Sequence, residues 1–128
     1  MKVLVDTSFL LLCVEKGRDL ISLAEEKLGE PLECYVLEDV LNELKSLEGR
    51  AGRRGAFASL ALRIAERFRK MGGGEDLPPD ERLLREAERI GAAIATVDLE
   101  LLEKARRKGI PVISVGADQR IRFEGVRL

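Results

Sequence analysis

Histidine is absent from this 128-residue chain, and that absence narrows its chemistry more than any other count. Serine-histidine-aspartate triads, cysteine-histidine dyads and histidine-ligated zinc are all excluded. Catalysis would have to use carboxylates, Lys, Ser, Thr, Tyr or a metal. Tryptophan is also missing and aromatics make up only 4%, so stacking platforms for single-stranded nucleic acid are scarce and the core must come from Leu, Val, Ile and Ala. Cys13 and Cys34 stand apart, each among apolar neighbours, and read as two buried, reduced thiols. One Asn (Asn42) and one Gln (Gln119) beside abundant Glu, Arg and Lys give the composition of proteins from hot environments, where ion-pair networks are favoured over thermolabile amides.

No long hydrophobic run is present either. The longest, Phe9 to Val14, falls far short of the roughly 20 residues that span a bilayer. The opening Met1-Lys2-Val3-Leu4-Val5-Asp6 meets an aspartate too soon for a signal peptide. The expectation is a cytoplasmic protein with no membrane contact. The length predicts a single domain over residues 1–128, and the net charge of -1 rules out a uniformly polybasic or polyacidic chain.

Short apolar runs alternate with segments of helical period. Lys2 to Val5 reads as a buried strand, followed by capping residues at Thr7-Ser8 and a helix through Val14. Helices are expected over Arg18–Leu28, Leu37–Leu47, Ala56–Lys70, Asp80–Ile90 and Leu99–Lys108, with strands at Cys34–Val36, Ala93–Thr96, Pro111–Val115 and an edge strand within Ile121–Val126. Gly49 to Gly55 is a break, and Gly72-Gly73-Gly74 a loop. The alternation predicts a three-layer α/β/α sandwich around a mostly parallel sheet.

Ligands of such sheets gather at the carboxyl ends of the strands. Asp6 closes the first strand, Asp98 follows the Ala93–Thr96 strand, Asp80 opens a helix that feeds that strand, and Glu43 borders the core-facing stripe of its own helix. Each acid alone has a plain alternative: helix capping for Asp6, Asp80 and Asp98, and a solvated helix position for Glu43. Their joint convergence on one edge is what capping does not require.

These residues also carry a resemblance. Val3-Leu4-Val5-Asp6-Thr7-Ser8-Phe9-Leu10-Leu11 is similar to the opening motif of PIN-domain nucleases. Val40-Leu41-Asn42-Glu43-Leu44, Asp80 with the apolar residues after it, and Thr96-Val97-Asp98 resemble that family's later motifs, in order and across nearly the whole chain. Asp98 stands where VapC toxins usually carry Asn, so the chain looks closer to the free-standing archaeal and ribosome-biogenesis branch. Ser8 replaces the commoner Asn, a departure that bears on how Asp6 is held.

The resemblance implies a metal-dependent endoribonuclease that hydrolyses RNA phosphodiester bonds, with a role in ribosomal or transfer RNA processing. Its alternatives are a VapC-like toxin ribonuclease partnered by an antitoxin, and a noncatalytic RNA-binding PIN module. A homodimer and a ribosome-assembly partner are further implications.

Four carboxylates without His or thiolate form a hard oxygen site, which suits Mg²⁺ or Mn²⁺. The expected metal ligands and catalytic residues are therefore Asp6, Glu43, Asp80 and Asp98, supported by the hydroxyls of Thr7 and Thr96. Between Lys45 and Lys70 eight basic residues face two acidic ones, a local charge of +6 against -7 for the rest. Arg50, Arg53 and Arg54, expected in a loop beyond the Glu43 helix, are the candidate RNA-binding cations.

Overall fold

A computed structural model describes residues 1–72 and 76–126. The chain runs β1 (Lys2–Val5), α1 (Thr7–Lys16), α2 (Leu20–Leu28), β2 (Glu33–Leu37), α3 (Glu38–Glu48), α4 (Arg53–Ala65), β3 (Arg69–Met71), α5 (Pro79–Ile90), β4 (Ala93–Ala95), α6 (Leu99–Arg107), β5 (Val112–Val115) and β6 (Ile121–Glu124). Of the Gly72–Gly74 loop, Gly73 and Gly74 lie outside the described residues.

The strands form one six-stranded sheet in the order β3-β2-β1-β4-β5-β6. All neighbours are parallel except β6, which runs antiparallel to β5 at one edge. The chain runs leftward from β1 to β3 and then rightward from β3 to β5, and the right-handed rule for parallel crossovers assigns these two runs to opposite faces. The helix layers follow: α4 packs on α3 and α1, while α5 lies on β1 and β4 and α6 on β5. The central strands are buried on both sides, and Val3, Leu4, Val5, Ile94 and Val112 sit in one core with Phe9, Leu10, Leu44 and Leu101. The three-layer, mostly parallel architecture expected from the alternation is the one observed. Among the described residues no helix is long and apolar enough to cross a membrane.

Three local expectations are corrected. The helix expected over Ala56–Lys70 starts earlier, at Arg53, and stops at Ala65. Beyond it the chain tightens into turns, with Arg67 N donating to Ile64 O and Phe68 N to Ala65 O, and then extends into β3, where Arg69 pairs in register with Tyr35. Three residues are too few to display a strand period, and the helical charge pattern masked them.

In the second correction, α1 is capped by Asp6 rather than by Thr7-Ser8 and continues past Val14 to Lys16, where Gly17 closes it in the left-handed region. In the third, Cys34 is half-buried while Cys13 is buried. Both are free thiols, and burial pushes each above its ordinary value, Cys34 to about 12, so neither is a nucleophile at neutral pH.

The turn between α3 and α4 depends on Gly55. A Cβ there would stand 1.9 Å from the carbonyl oxygen of Arg50 and 3.1 Å from that of Glu48. Glycine alone lets the first turn of α4 close onto the end of α3. Gly55→Ala should therefore destabilise the fold by about 1–3 kcal/mol, as overpacking does. Thermal unfolding checks this, and an unchanged melting temperature would refute it.

Candidate active site

The sheet reverses its direction of growth between β1 and β4, and the carboxyl ends of those two strands open a crevice. A cavity of about 440 Å³ lies there, and Asp6, Glu43, Asp80 and Asp98 all line it. Each arrives by a different route. Asp6 follows β1 and caps α1; Asp98 follows β4 and caps α6; Asp80 is the second residue of α5; Glu43 lies in the second turn of α3, with Leu47 a turn further along the same lined face. Asp80 is not the cap of α5, a place Pro78 occupies without a side-chain bond, so capping does not explain it.

Asp6 is the most constrained of the four, only 9% exposed. Its Oδ1 accepts from Ser8 Oγ at 2.7 Å and from Phe9 N at 3.1 Å, and its Oδ2 accepts from Thr96 Oγ1 at 2.6 Å. Ser8 Oγ in turn accepts from Val97 N at 3.0 Å, and Thr96 Oγ1 from Asp98 N at 3.1 Å. One bonded unit thus joins the end of β1 to the end of β4 and fixes Asp6 relative to Asp98.

Thr96 is fully buried, and its hydroxyl donates to Asp6. Thr7 lines the cavity, and the second hydroxyl bonded to Asp6 is that of Ser8. The departure from Asn at position 8 was the available signal for this, since a short hydroxyl two residues past Asp6 can turn back onto it.

Burial pushes the Asp6 carboxyl above its ordinary value. The bonds from Thr96, Ser8 and Phe9 pull it down, and the charge of Asp98 adds to the rise. Burial likewise raises Asp80; Lys104 opposes it, and the charges of Asp98, Glu100 and Glu43 reinforce it. Lys104 Nζ lies 3.8 Å from Asp80 Oδ2 and 3.6 Å from Glu100 Oε1. The acids sense one another across the cavity, yet among the described residues no three of them form a ready-made ligand cluster.

Of the three candidate RNA-binding cations, only Arg54 lines the cavity. Arg53 and Arg54 belong to the first turn of α4 rather than to a loop, because the glycine break ends at Gly52. Arg50 remains in the turn between α3 and α4, and both Arg50 and Arg53 are exposed. Asp39, which the motifs did not single out, is a fifth carboxylate on the cavity wall, paired with Arg82 of α5.

Thr96→Val removes a donor from Asp6 and leaves the amide of Asp98 without its acceptor, so it should cost about 1–3 kcal/mol in chemical denaturation. Full stability in that variant would dismiss the bonded unit as a structural element. For Asp80 the sign is opposite. A carboxyl whose folded-state value is raised favours folding while protonated, below about 3.8, and that contribution is lost as pH rises through the folded value. In chelator at pH near 7, Asp80→Asn should melt a few degrees above the parent chain, with the gap closing in acid. A lower melting temperature at neutral pH would contradict this.

Comparison with known proteins gives this geometry a family. A family model described as a PIN like domain matches residues 3–118. The ribonuclease VapC9 of Archaeoglobus fulgidus is 32% identical over 90 residues, and the match covers 70% of this chain and 65% of that relative's length. Among solved structures, the PIN domain endonuclease Utp24 superposes with a TM-score of 0.79 at 28% identity, over 98% of this chain and 92% of that one. A domain of a functionally unknown protein from Methanocaldococcus jannaschii shares the fold, with a TM-score of 0.66 at 20% identity over 99% and 96% of the two chains. With the match running from the strand that leads to Asp6 past the helix that Asp98 caps, the chain belongs to the PIN-like domain family of nucleases.

Proposed function

We propose that this chain is a Mg²⁺- or Mn²⁺-dependent endoribonuclease, with Asp6, Glu43, Asp80 and Asp98 as direct or water-mediated ligands of the cation. The observation that carries the reading is the meeting of these four acids, from four separate segments, on the wall of one cavity at the switch point of the sheet. The donor chemistry fits: the lining offers carboxylate and hydroxyl oxygen, the chain has no histidine, and the free thiols lie elsewhere. Burial raises both Asp6 and Asp80 and like charge adds to it, a repulsion that a divalent cation offsets.

A bound cation supplies an acidified water and neutralises charge at the scissile phosphate. The chain's own residues do the positioning. Ser8 and Thr96 hold the Asp6 carboxylate, leaving its Oδ2 with a single donor. Arg54 on the cavity wall and Lys104 beside Asp80 are placed to hold backbone phosphates, with Arg50 and Arg53 extending that positive surface outward. The ribonuclease relative supports RNA as the substrate. The acid at Asp98 supports a processing role on ribosomal or transfer RNA.

Cleavage of labelled single-stranded RNA with Mn²⁺ tests this. Asp6→Asn and Asp98→Asn should each lower the rate by at least about 100-fold while keeping the far-ultraviolet dichroism of the parent, because loss of a ligand costs no less than loss of its support. Chelator should abolish cleavage, and the rate should climb with pH as the raised carboxyls of Asp6 and Asp80 ionise. Should parent and variants bind RNA equally while none cuts it, the chain is a binding module and the nuclease reading fails.

A further inference from the structure

The cavity is bridged by a buried ion pair that the acids alone do not explain. Asp39, second residue of α3, meets Arg82, fourth residue of α5, through Arg82 Nη1. Their side chains are 17% and 7% exposed. The other arm of the fork, Nη2, donates to the carbonyl of Leu77 at 2.6 Å, in the turn that leads into α5. Helix α3 packs on α4 and β2, whereas α5 packs on β1 and β4, so the cavity separates them. Glu43 stands one helical turn beyond Asp39, and Asp80 stands two residues before Arg82.

Stability alone is a poor reason for this pair. Two charges are withdrawn from water, and Arg82 Nε is buried without a hydrogen-bond partner among the described residues. An apolar pair of similar volume commonly stabilises a fold as well or better. What an apolar pair lacks is direction. The guanidinium is a rigid fork whose two arms reach two fixed acceptors at once, and a lysine ammonium on a flexible stem is not its equivalent.

We propose that Arg82 is a positioning residue. By tying Asp39 on α3 and Leu77 before α5, it sets the separation of Glu43 and Asp80 across the cavity. The same contact matches the charge of Asp39 and keeps this fifth carboxylate out of the cation's ligand set. The proposal rests on the cavity being the cation site.

Two variants test it. Arg82→Lys keeps a charge for Asp39 but cannot also hold Leu77, and Asp39→Leu with Arg82→Met removes both charges while filling the volume. Thermal unfolding, calorimetric Mn²⁺ titration and amide hydrogen exchange over residues 80–84 are measured on each. In both variants Mn²⁺ should bind about ten-fold more weakly or worse, the range seen when a ligand's support is removed, while melting stays within a few degrees of the parent. Exchange at the start of α5 should quicken by a similar factor.

Mn²⁺ affinity that is unchanged or tightened in a folded variant overturns the proposal. If the double variant does not fold, Arg82→Lys decides. If the parent chain itself binds no Mn²⁺, the cation reading of the cavity fails separately. Exchange then judges the tie alone: faster exchange in Arg82→Lys upholds it, and unchanged exchange removes it.

Discussion

The hydrogen bond from Thr96 to Asp6 is the interaction on which the site depends. It links residues 90 positions apart, just past the ends of two strands that lie side by side only because the sheet grows leftward from β1 and rightward from β4. Without that topology the two groups would have no reason to meet. Without the bond, a carboxylate only 9% exposed would face burial with less to favour its charged form. Ser8 adds a second hydroxyl to the opposite oxygen, so the orientation of Asp6 is set from both sides of the crevice.

Around that bond the charges are arranged in tension. The rise in Asp6 and Asp80, caused first by burial, is a cost the fold carries when both are ionised. Lys104 moderates it at Asp80 and the bonds from Thr96, Ser8 and Phe9 moderate it at Asp6, while Arg82 is locked on Asp39 and Arg54 stands on the wall. A site that concentrates like charge for a ligand is commonly less stable than one that does not, which is the usual trade between function and stability.

Much of this was legible in the sequence because the signals were long or doubly marked. The strand at Lys2–Val5 and the helix ends at Leu28 and Ile90 follow from apolar runs and helical periods. Asp6, Asp80 and Asp98 could be expected at one edge from the alternation of strands and helices, because a helix leading into a parallel strand must start where the previous strands end, and Glu43 from the stripe of its helix. Other features were not legible, for physical reasons. Strand β3 is three residues long and takes its identity from pairing with β2, a contact no local window contains. The bonding of Ser8 depends on β4 arriving beside it, and the pairing of Asp39 with Arg82 spans 43 positions. The glycine-rich break ended at Gly52 because Gly55, read as a flexible residue, is instead a helical position where a side chain would strike the backbone.

Capping and site chemistry, which compete as readings of a single aspartate, turn out to be one device. Asp98 uses Oδ1 to accept from the amides of Glu100 and Leu101, and Asp6 uses Oδ1 to accept from Phe9. In each case a helix start immobilises one oxygen and thereby aims the carboxyl, leaving the second oxygen for other partners. Helices α1, α3, α5 and α6 all begin at the cavity, so their positive dipole ends face the same cluster of negative charge. Asp6 and Asp98 sit at caps, and Asp39 and Asp80 lie in first turns, where that field is strongest. Glu43 is the exception. It stands beyond the first turn of α3, where the dipole has faded. Its place in the cluster is therefore a matter of reach rather than capping, and the spacing between α3 and α5 matters most for this residue.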